Sequence, residues 1–132
     1  MTDHPRRTVL IAEDEPALAA AIATTVSLEG LETVIASTGE EALSLARQLR
    51  PDLVLLDVML PGMSGIEVCA TLKTSPETDQ IPVVLVTAKS EREDRALGIA
   101  AGASAYVTKP FSPVQLIDLV KKALAQDAED SH

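Results

Sequence analysis

Three short, unbroken aliphatic runs constrain the fold of this chain more than any other feature. They are Thr8–Ala12, Leu53–Leu56 and Val83–Val86. Such runs are typical of strands in a parallel sheet that is covered on both faces, because neither side of the strand then meets water. Two weaker runs, Thr33–Ala36 and Ala105–Thr108, predict further strands nearer the edges of the same sheet.

Amphipathic stretches separate or follow these runs, and each has a residue suited to begin or cap a helix. These residues are Pro16, Ser37 or Thr38, Ser64, Ser90 and Ser112. We expect the first helix to run to about Leu28 and to end at Gly30, and the second to end before Pro51. Five strands that alternate with five helices predict a doubly wound α/β domain with a five-stranded parallel sheet.

The composition excludes several classes of function. The 132 residues suffice for one domain, and 11 Lys and Arg against 20 Asp and Glu give a net charge of −9. This charge argues against direct binding of nucleic acid, which needs a basic face. The longest uncharged stretch, residues 16–28, is too short to span a bilayer, so we expect no membrane insertion. Without a signal peptide or a second cysteine, the sequence predicts a cytoplasmic protein.

Polar and charged residues stand where four of the predicted strands end. Glu13–Glu15 follow the first strand, Asp57 follows the third, Thr87 the fourth, and Lys109 comes shortly after the fifth. A charged residue at the end of one strand commonly means only that the chain has reached water. In parallel sheets, however, the carboxyl ends of the strands share one edge, and ligands bind there. The four positions together therefore predict a functional site.

The residue types at this edge indicate phosphoryl chemistry. Glu13, Asp14 and Asp57 would crowd three carboxylates together, which favours a bound cation, and oxygen ligands suit Mg²⁺. Lys109 and Thr87 would add an ammonium and a hydroxyl, the groups that stabilise phosphoryl oxygens during transfer. A carboxylate beside them can act as a nucleophile and form an acyl phosphate. We therefore expect an aspartate that accepts a phosphoryl group.

The chain resembles the receiver domain of two-component response regulators. The resemblance rests on five motifs in order: Glu13–Asp14, the segment Asp57–Gly65 (DVMLPGMSG), Thr87–Ala88, Tyr106 and Lys109–Pro110. It covers residues 7–125 and leaves residues 1–6 and 126–132 as expected flexible termini. The resemblance implies a flavodoxin-like fold with strand order 2-1-3-4-5, an order that chemotaxis regulators of this family illustrate.

The resemblance also implies a role for each acidic residue. Asp57 is then the phosphoacceptor, and its donor is a histidine on a sensor kinase or on a histidine phosphotransfer protein. Asp14 and Asp57 bind Mg²⁺ directly together with the backbone carbonyl of Met59, and Glu13 acts through water. No enzymatic activity is implied beyond Mg²⁺-dependent self-phosphorylation and self-dephosphorylation.

The remaining motif residues are implied to form a switch. Thr87 and Lys109 contact the phosphoryl oxygens, and Tyr106 turns inward as Thr87 moves toward the phosphate. The face made by the fourth helix, fifth strand and fifth helix then binds a downstream protein. The family pattern further implies a cis Lys109–Pro110 bond.

Two other functional classes fit the sequence less well. A phosphatase of the haloacid dehalogenase type needs a second acid two positions after its nucleophile, where this chain has Met59. A flavodoxin-like cofactor binder needs a phosphate loop after the first strand, where this chain has Glu13–Pro16. Within the receiver family, the sequence leaves open a complete single-domain regulator and a receiver from a longer protein with a separate output domain.

Three smaller features receive structural interpretations. We expect Cys69 to be a buried small hydrophobe rather than a reactive thiol, and Asp52 to be structural. The stretch Pro16–Leu28 is almost free of charge on every side. Either its alanines serve helix formation, or it presents an uncharged docking patch, and the sequence does not decide between the two.

Overall fold

Five strands and five helices alternate along the chain in the computed structural model, which describes residues 7–88 and 92–130. The strands are β1 (Thr8–Ala12), β2 (Glu32–Ala36), β3 (Leu53–Asp57), β4 (Val83–Thr87) and β5 (Ala105–Thr108). The helices are α1 (Pro16–Ser27), α2 (Gly39–Leu49), α3 (Gly65–Lys73), α4 (Arg92–Ala100) and α5 (Pro113–Asp130).

The strands form one parallel sheet in the order β2-β1-β3-β4-β5. In the register, Leu10 of β1 lies between Val34 of β2 and Val54 of β3. The predicted doubly wound α/β class and the strand order implied by the resemblance are both confirmed. All strands therefore end at the same edge of the sheet.

The two faces of the sheet carry separate hydrophobic clusters, which explains the unbroken aliphatic runs. Successive side chains of β1 point to opposite faces. Leu10 packs with Val68 of α3 in one cluster, whereas Ile11 packs with Ile22 of α1 and Leu116 of α5 in the other. Because helices cover both faces, every position of a central strand must be apolar until the strand reaches its end.

The predicted helix starts are present where the structure describes them. Pro16 lies in the first turn of α1. Three side chains accept hydrogen bonds from a backbone N–H three residues later, as N-caps do: Thr38 from Glu41, Ser64 from Glu67 and Ser112 from Gln115. The predicted start of the fourth helix, Ser90, lies outside the described residues. Gly30 has φ +81°, a conformation that favours glycine, and follows α1 as predicted.

The main difference from the sequence analysis lies at the end of α5. The predicted domain ended at residue 125 with a flexible terminus beyond it, but α5 continues to Asp130. Gln126, Ala128 and Glu129 have good helix propensity, which favours continuation of the backbone as helix. The flexibility expected of residues 1–6 and 126–132 stays a prediction, and residues 1–6 and 131–132 lie outside the described part.

The smaller sequence features lie where they were expected. Cys69 is buried on α3, and Asp52 Oδ2 accepts a hydrogen bond of 2.8 Å from the N–H of Thr8, which fixes the start of β1. On α1, the small residues Ala17, Ala20, Ala21 and Thr24 are exposed, so this helix presents an uncharged patch. Across residues 7–88 and 92–130, no helix is long and apolar enough to cross a bilayer.

Candidate functional site

Three carboxylates meet at the carboxyl edge of the sheet. Glu13 and Asp14 follow β1, Asp57 ends the adjacent strand β3, and one oxygen from each side chain lies within 4.8 Å of the others. Glu13 and Asp57 are each only 3% exposed, whereas Asp14 is exposed. The cluster thus has two carboxylates in its floor and one at its mouth.

Lys109 brings a positive charge into this cluster from the far side of β4. Its Nζ lies 2.8 Å from Asp57 Oδ2 and 3.1 Å from Glu13 Oε1. The backbone N–H of Lys109 donates to the carbonyl of Thr87 over 2.7 Å, which continues the pairing of β4 with β5. The Lys109–Pro110 bond is cis, as the family resemblance implied.

Burial and the neighbouring charges shift the pKa values of Glu13 and Lys109. Burial raises the pKa of Glu13 above its ordinary value, and the nearby Asp57 adds to this effect. The N–H of Glu15, which donates to Glu13 over 3.1 Å, and the Lys109 ammonium oppose it. Burial alone would lower the pKa of Lys109, but its contacts with Asp57 and Glu13 outweigh burial, so that pKa is raised. Lys109 therefore stays protonated and is one cation among three carboxylates.

The donor set fits a divalent cation. All three side chains offer carboxylate oxygens, the ligands that hard cations such as Mg²⁺ and Ca²⁺ prefer. Glu13 Oε1 is buried and, apart from its ion pair with Lys109, has no hydrogen-bond partner among the described residues. An added positive charge at the mouth would relieve the repulsion between the carboxylates. The cluster can therefore hold a metal ion.

The loop after β3 folds back over Asp57. The backbone N–H of Met59 donates to Asp57 Oδ1 over 3.0 Å, and the N–H of Gly65 donates to the carbonyl of Val58 over 3.0 Å. A Cβ on Gly65 would overlap the carbonyl oxygen of Asp57, so only glycine fits at this close approach. The loop thus places the Met59 backbone beside the Asp57 carboxylate and leaves the Met59 side chain 71% exposed.

Thr87 and Tyr106 share a cavity beside the acidic cluster. Thr87 is buried at the end of β4, and Tyr106 is half-buried on β5. Both line a cavity of about 140 Å³ between α4 and the sheet, together with Gly98 and Ile99 of α4. The cavity is mostly apolar and connects the end of β4 with the aromatic ring on the edge strand.

The structure brings the predicted residues together in two groups. Glu13, Asp14, Asp57 and Lys109 form the acidic cluster, with the Met59 backbone against it, and Thr87 and Tyr106 meet at the neighbouring cavity.

Two contacts of the site were not expected from the sequence. One is the direct ion pair between Glu13 and Lys109, which the expected role of Glu13 as a water-mediated partner of Mg²⁺ does not include. The other is a hydrogen bond from the N–H of Met63, in the loop after Asp57, to Glu40. These partners lie far apart in the chain, so no local pattern indicates either contact.

Comparisons with known proteins agree with this arrangement. The family model of the response regulator receiver domain matches residues 9–121. The DNA-binding response regulator MtrA of Mycolicibacterium smegmatis is 41% identical over 128 residues, which are 97% of this chain and 55% of that protein. The chain thus spans about half the length of this curated relative.

Solved structures of similar fold lead to the same family. A CheY-like response regulator receiver domain protein from Methanospirillum hungatei has a TM-score of 0.90 at 27% identity, over 96% of this chain and 99% of that one. The BeF3-activated N-terminal receiver domain of RstA from Klebsiella pneumoniae has a TM-score of 0.83 at 30% identity, over 89% and 98%. The fold, the acidic edge and the match over most of its length show that this chain belongs to the response regulator receiver domain family.

Proposed function

We propose that this receiver domain accepts a phosphoryl group on Asp57 from a phosphohistidine and changes its binding surface in response. The observation that carries the proposal is the environment of the Asp57 carboxylate. It is buried at the sheet edge, in contact with the Lys109 ammonium and within reach of two further carboxylates. A carboxylate in such surroundings is a nucleophile with a fixed cation beside it.

The proposed transfer is a displacement at phosphorus. One carboxylate oxygen of Asp57 forms a bond to phosphorus while the P–N bond of the phosphohistidine breaks. The imidazole nitrogen keeps the electron pair of that bond and takes a proton from solvent. The product is an acyl phosphate on Asp57 and a free histidine on the donor, which is a sensor histidine kinase or a histidine phosphotransfer protein.

Lys109 and Thr87 are the proposed partners of the phosphoryl oxygens. Lys109 Nζ already lies 2.8 Å from Asp57 Oδ2, so it can follow the negative charge from the carboxylate to the phosphoryl group. Thr87 ends the strand next to β3, and its hydroxyl is a donor of the kind that stabilises such oxygens. Both residues already lie at the edge of the sheet where Asp57 ends β3.

The proposed metal is Mg²⁺, held by Asp14, Asp57 and the carbonyl of Met59, with Glu13 acting through water. The support is the donor set, which consists of oxygen atoms alone, and the buried Glu13 oxygen without a hydrogen bond. When bound, the ion supplies positive charge that offsets the carboxylates and the incoming phosphoryl oxygens. Asp14, the exposed member, is the residue that an arriving ion meets first.

The proposed output is a rearrangement around the cavity between Thr87 and Tyr106. Movement of Thr87 toward the phosphoryl group would free space that the Tyr106 ring can enter. The surface of α4, β5 and α5 also exposes Leu97, Ile99 and Val114, each more than half accessible. Apolar side chains of this kind suit a downstream protein partner.

The output of the receiver and its location belong to the same proposal. The relative MtrA is about twice as long and is named as DNA-binding. A receiver that works with a separate output domain therefore stays open beside a complete single-domain regulator. The net charge of −9 still disfavours direct nucleic-acid binding by the receiver itself, and a cytoplasmic location fits a kinase partner.

A phosphatase of the dehalogenase type stays disfavoured because Met59 occupies the place of its second acid.

Phosphoramidate tests the proposal, since it carries a P–N bond like that of phosphohistidine. With Mg²⁺, the protein should gain one phosphoryl group, detected by intact-mass spectrometry, and addition of a chelator should prevent the gain. A protein that gains nothing from phosphoramidate and also nothing from purified histidine kinases would contradict phosphoryl acceptance.

A further inference from the structure

The loop that follows Asp57 is held against the first turn of α2. The N–H of Gly39 donates to the carbonyl of Pro61 over 3.2 Å, and the N–H of Met63 donates to Glu40 Oε1 over 3.3 Å. Both hydrogen bonds join segments more than twenty residues apart in the chain. The start of α2 therefore supports the loop from outside the acidic cluster.

Two glycines allow this close approach. A Cβ on Gly39 would overlap the carbonyl oxygen of Met63, and a Cβ on Gly62 would overlap Glu40 Oε1. Gly62 also has φ +76°, which favours glycine. A side chain at Gly39 would collide with the backbone, and one at Gly62 would displace the Glu40 carboxylate, so the loop and the helix are closely fitted at both positions.

The Met59 backbone lies between two fixed points of this loop. On one side, its N–H is bound to Asp57 Oδ1. On the other side, Leu60 is 7% exposed within the core, and the contacts with α2 follow at once. The Met59 side chain itself is 71% exposed and contributes little restraint. The orientation of the Met59 carbonyl therefore depends on the following residues, Pro61 to Met63, which contact the first turn of α2.

We propose that Glu40 is a positioning residue for the metal site. Its carboxylate fixes the Met63 end of the loop and so limits the orientations open to the Met59 carbonyl. The inference rests on the proposed function, in which that carbonyl is a ligand of Mg²⁺. Partners that orient ligands without touching the metal commonly affect metal affinity strongly.

Glu41 provides a matched control on the same helical turn. Its Oε1 accepts a hydrogen bond of 2.7 Å from the N–H of Ser37, and its contact stays within its own segment. Glu40 and Glu41 are both exposed and carry the same charge. Removing either charge takes one negative charge from the same helical turn, but of the two residues only Glu40 contacts the loop.

The test compares Glu40→Ala, Glu40→Gln and Glu41→Gln by titrating the full chain with Mg²⁺ and following amide NMR shifts. We expect Glu40→Ala to weaken Mg²⁺ affinity about tenfold, the lower end of the effect known for partners that orient ligands. Glu40→Gln keeps an acceptor oxygen, so it should stay within about twofold of Glu41→Gln, since both lose one exposed charge. Gly39→Ala should weaken affinity like Glu40→Ala, because it disrupts the same contact without altering charge.

Hydrogen exchange at the Met63 amide in metal-free protein is the second measurement. We expect faster exchange in Glu40→Ala than in the other Glu variants, at unchanged global stability. Unchanged Mg²⁺ affinity in Glu40→Ala, or an equal loss of affinity in Glu40→Ala and Glu41→Gln, would overturn the proposal. If the unaltered protein binds no Mg²⁺, the metal part of the proposed function fails. The Met63 exchange rates then decide the positioning role alone, and equal rates in all variants would overturn it.

Discussion

Lys109 Nζ lies 2.8 Å from Asp57 Oδ2, so a side chain that follows β5 reaches past β4 to the end of β3. The same nitrogen lies 3.1 Å from Glu13 Oε1, which follows β1. One ammonium thus pairs with carboxylates from two other strands. Both carboxylates are almost fully buried, so Lys109 supplies the positive charge that is paired with them inside the protein.

Replacing Lys109 with alanine should destabilise the metal-free protein. The substitution leaves Glu13 and Asp57 buried without their ammonium, and we expect a loss of about 2 kcal/mol in the free energy of unfolding. This is below the usual cost for a fully buried pair because the Lys109 side chain is 25% exposed. Urea denaturation with and without Mg²⁺ measures the effect, and Mg²⁺ should restore part of the loss.

Lys121→Ala is the matched control for this prediction. Lys121 pairs with Glu29 over 3.3 Å, but its side chain is 67% exposed. We expect a change within about 0.5 kcal/mol. Equal losses in the free energy of unfolding for Lys109→Ala and Lys121→Ala would show that the buried ion pairs of Lys109 stabilise the protein no more than an exposed pair does.

Replacing Asp14 with alanine should weaken Mg²⁺ binding without unfolding the domain. Asp14 is exposed at the mouth of the cluster, so its loss removes a proposed ligand and also relieves repulsion among the carboxylates. We expect affinity to fall at least about tenfold, while thermal stability without metal is unchanged or higher. Calorimetric titration with Mg²⁺ measures the affinity.

Glu15→Gln is the control for Asp14. Glu15 is also exposed next to the cluster, but it contacts Glu13 through its backbone N–H, which the substitution retains. Its Mg²⁺ affinity should stay close to that of the unaltered protein. An Asp14→Ala variant that binds Mg²⁺ as tightly as Glu15→Gln would show that Asp14 is not a ligand.

The sequence predicts the sheet well because burial on both faces leaves a simple signal. The runs Leu53–Leu56 and Val83–Val86 are both predicted as strands. The structure extends each by only one residue, Asp57 and Thr87. The strand order came from the family resemblance, since local patterns do not specify which strands are neighbours. The predicted domain ended at residue 125, and α5 extends past it to Asp130, as the helix propensity of Gln126, Ala128 and Glu129 favours.

The site was predictable in its residue types but not in its internal contacts. Sequence placed Glu13 and Asp14 at the same edge, yet it could not tell which of them is buried. That difference depends on the direction in which the chain leaves β1 and on the Lys109 side chain. Likewise, the contact between Glu40 and Met63 joins residues from separate elements, so only the packed structure shows it.

Replacing Tyr106 with alanine should separate phosphorylation from the response of the surface. Tyr106 lines the cavity shared with Thr87 but is not part of the acidic cluster. We expect phosphorylation to proceed at a rate near that of the unaltered protein, while the response of α4, β5 and α5 is lost.

Amide NMR shifts with and without beryllofluoride measure that response. In the unaltered protein, shifts should extend beyond the acidic cluster into residues 88–120, and in Tyr106→Ala they should stay near Asp57. Shifts confined to the cluster in the unaltered protein would contradict the proposed switch.

Cys69 should be unreactive in the folded protein. Burial raises the pKa of its thiol above the ordinary 9.0, and the side chain is fully enclosed on α3. Near pH 8, a thiol-specific reagent should therefore label it only through unfolding, and label it fast in concentrated urea. Because the folded pKa is raised, the thiol favours folding below its unfolded pKa, and this contribution is lost as the pH rises above that value. Rapid labelling of the native protein at neutral pH would contradict the burial of this residue.

Phosphorylation of Asp57→Asn, compared with Asp52→Asn, tests the central claim most directly. Asp52 lies at the opposite end of the same strand, where it binds the N–H of Thr8. Intact-mass spectrometry after incubation with phosphoramidate and Mg²⁺ counts the phosphoryl groups on each protein. The account predicts one group on the unaltered protein, one on Asp52→Asn and none on Asp57→Asn. Labelling of Asp57→Asn at the rate of the unaltered protein would contradict it.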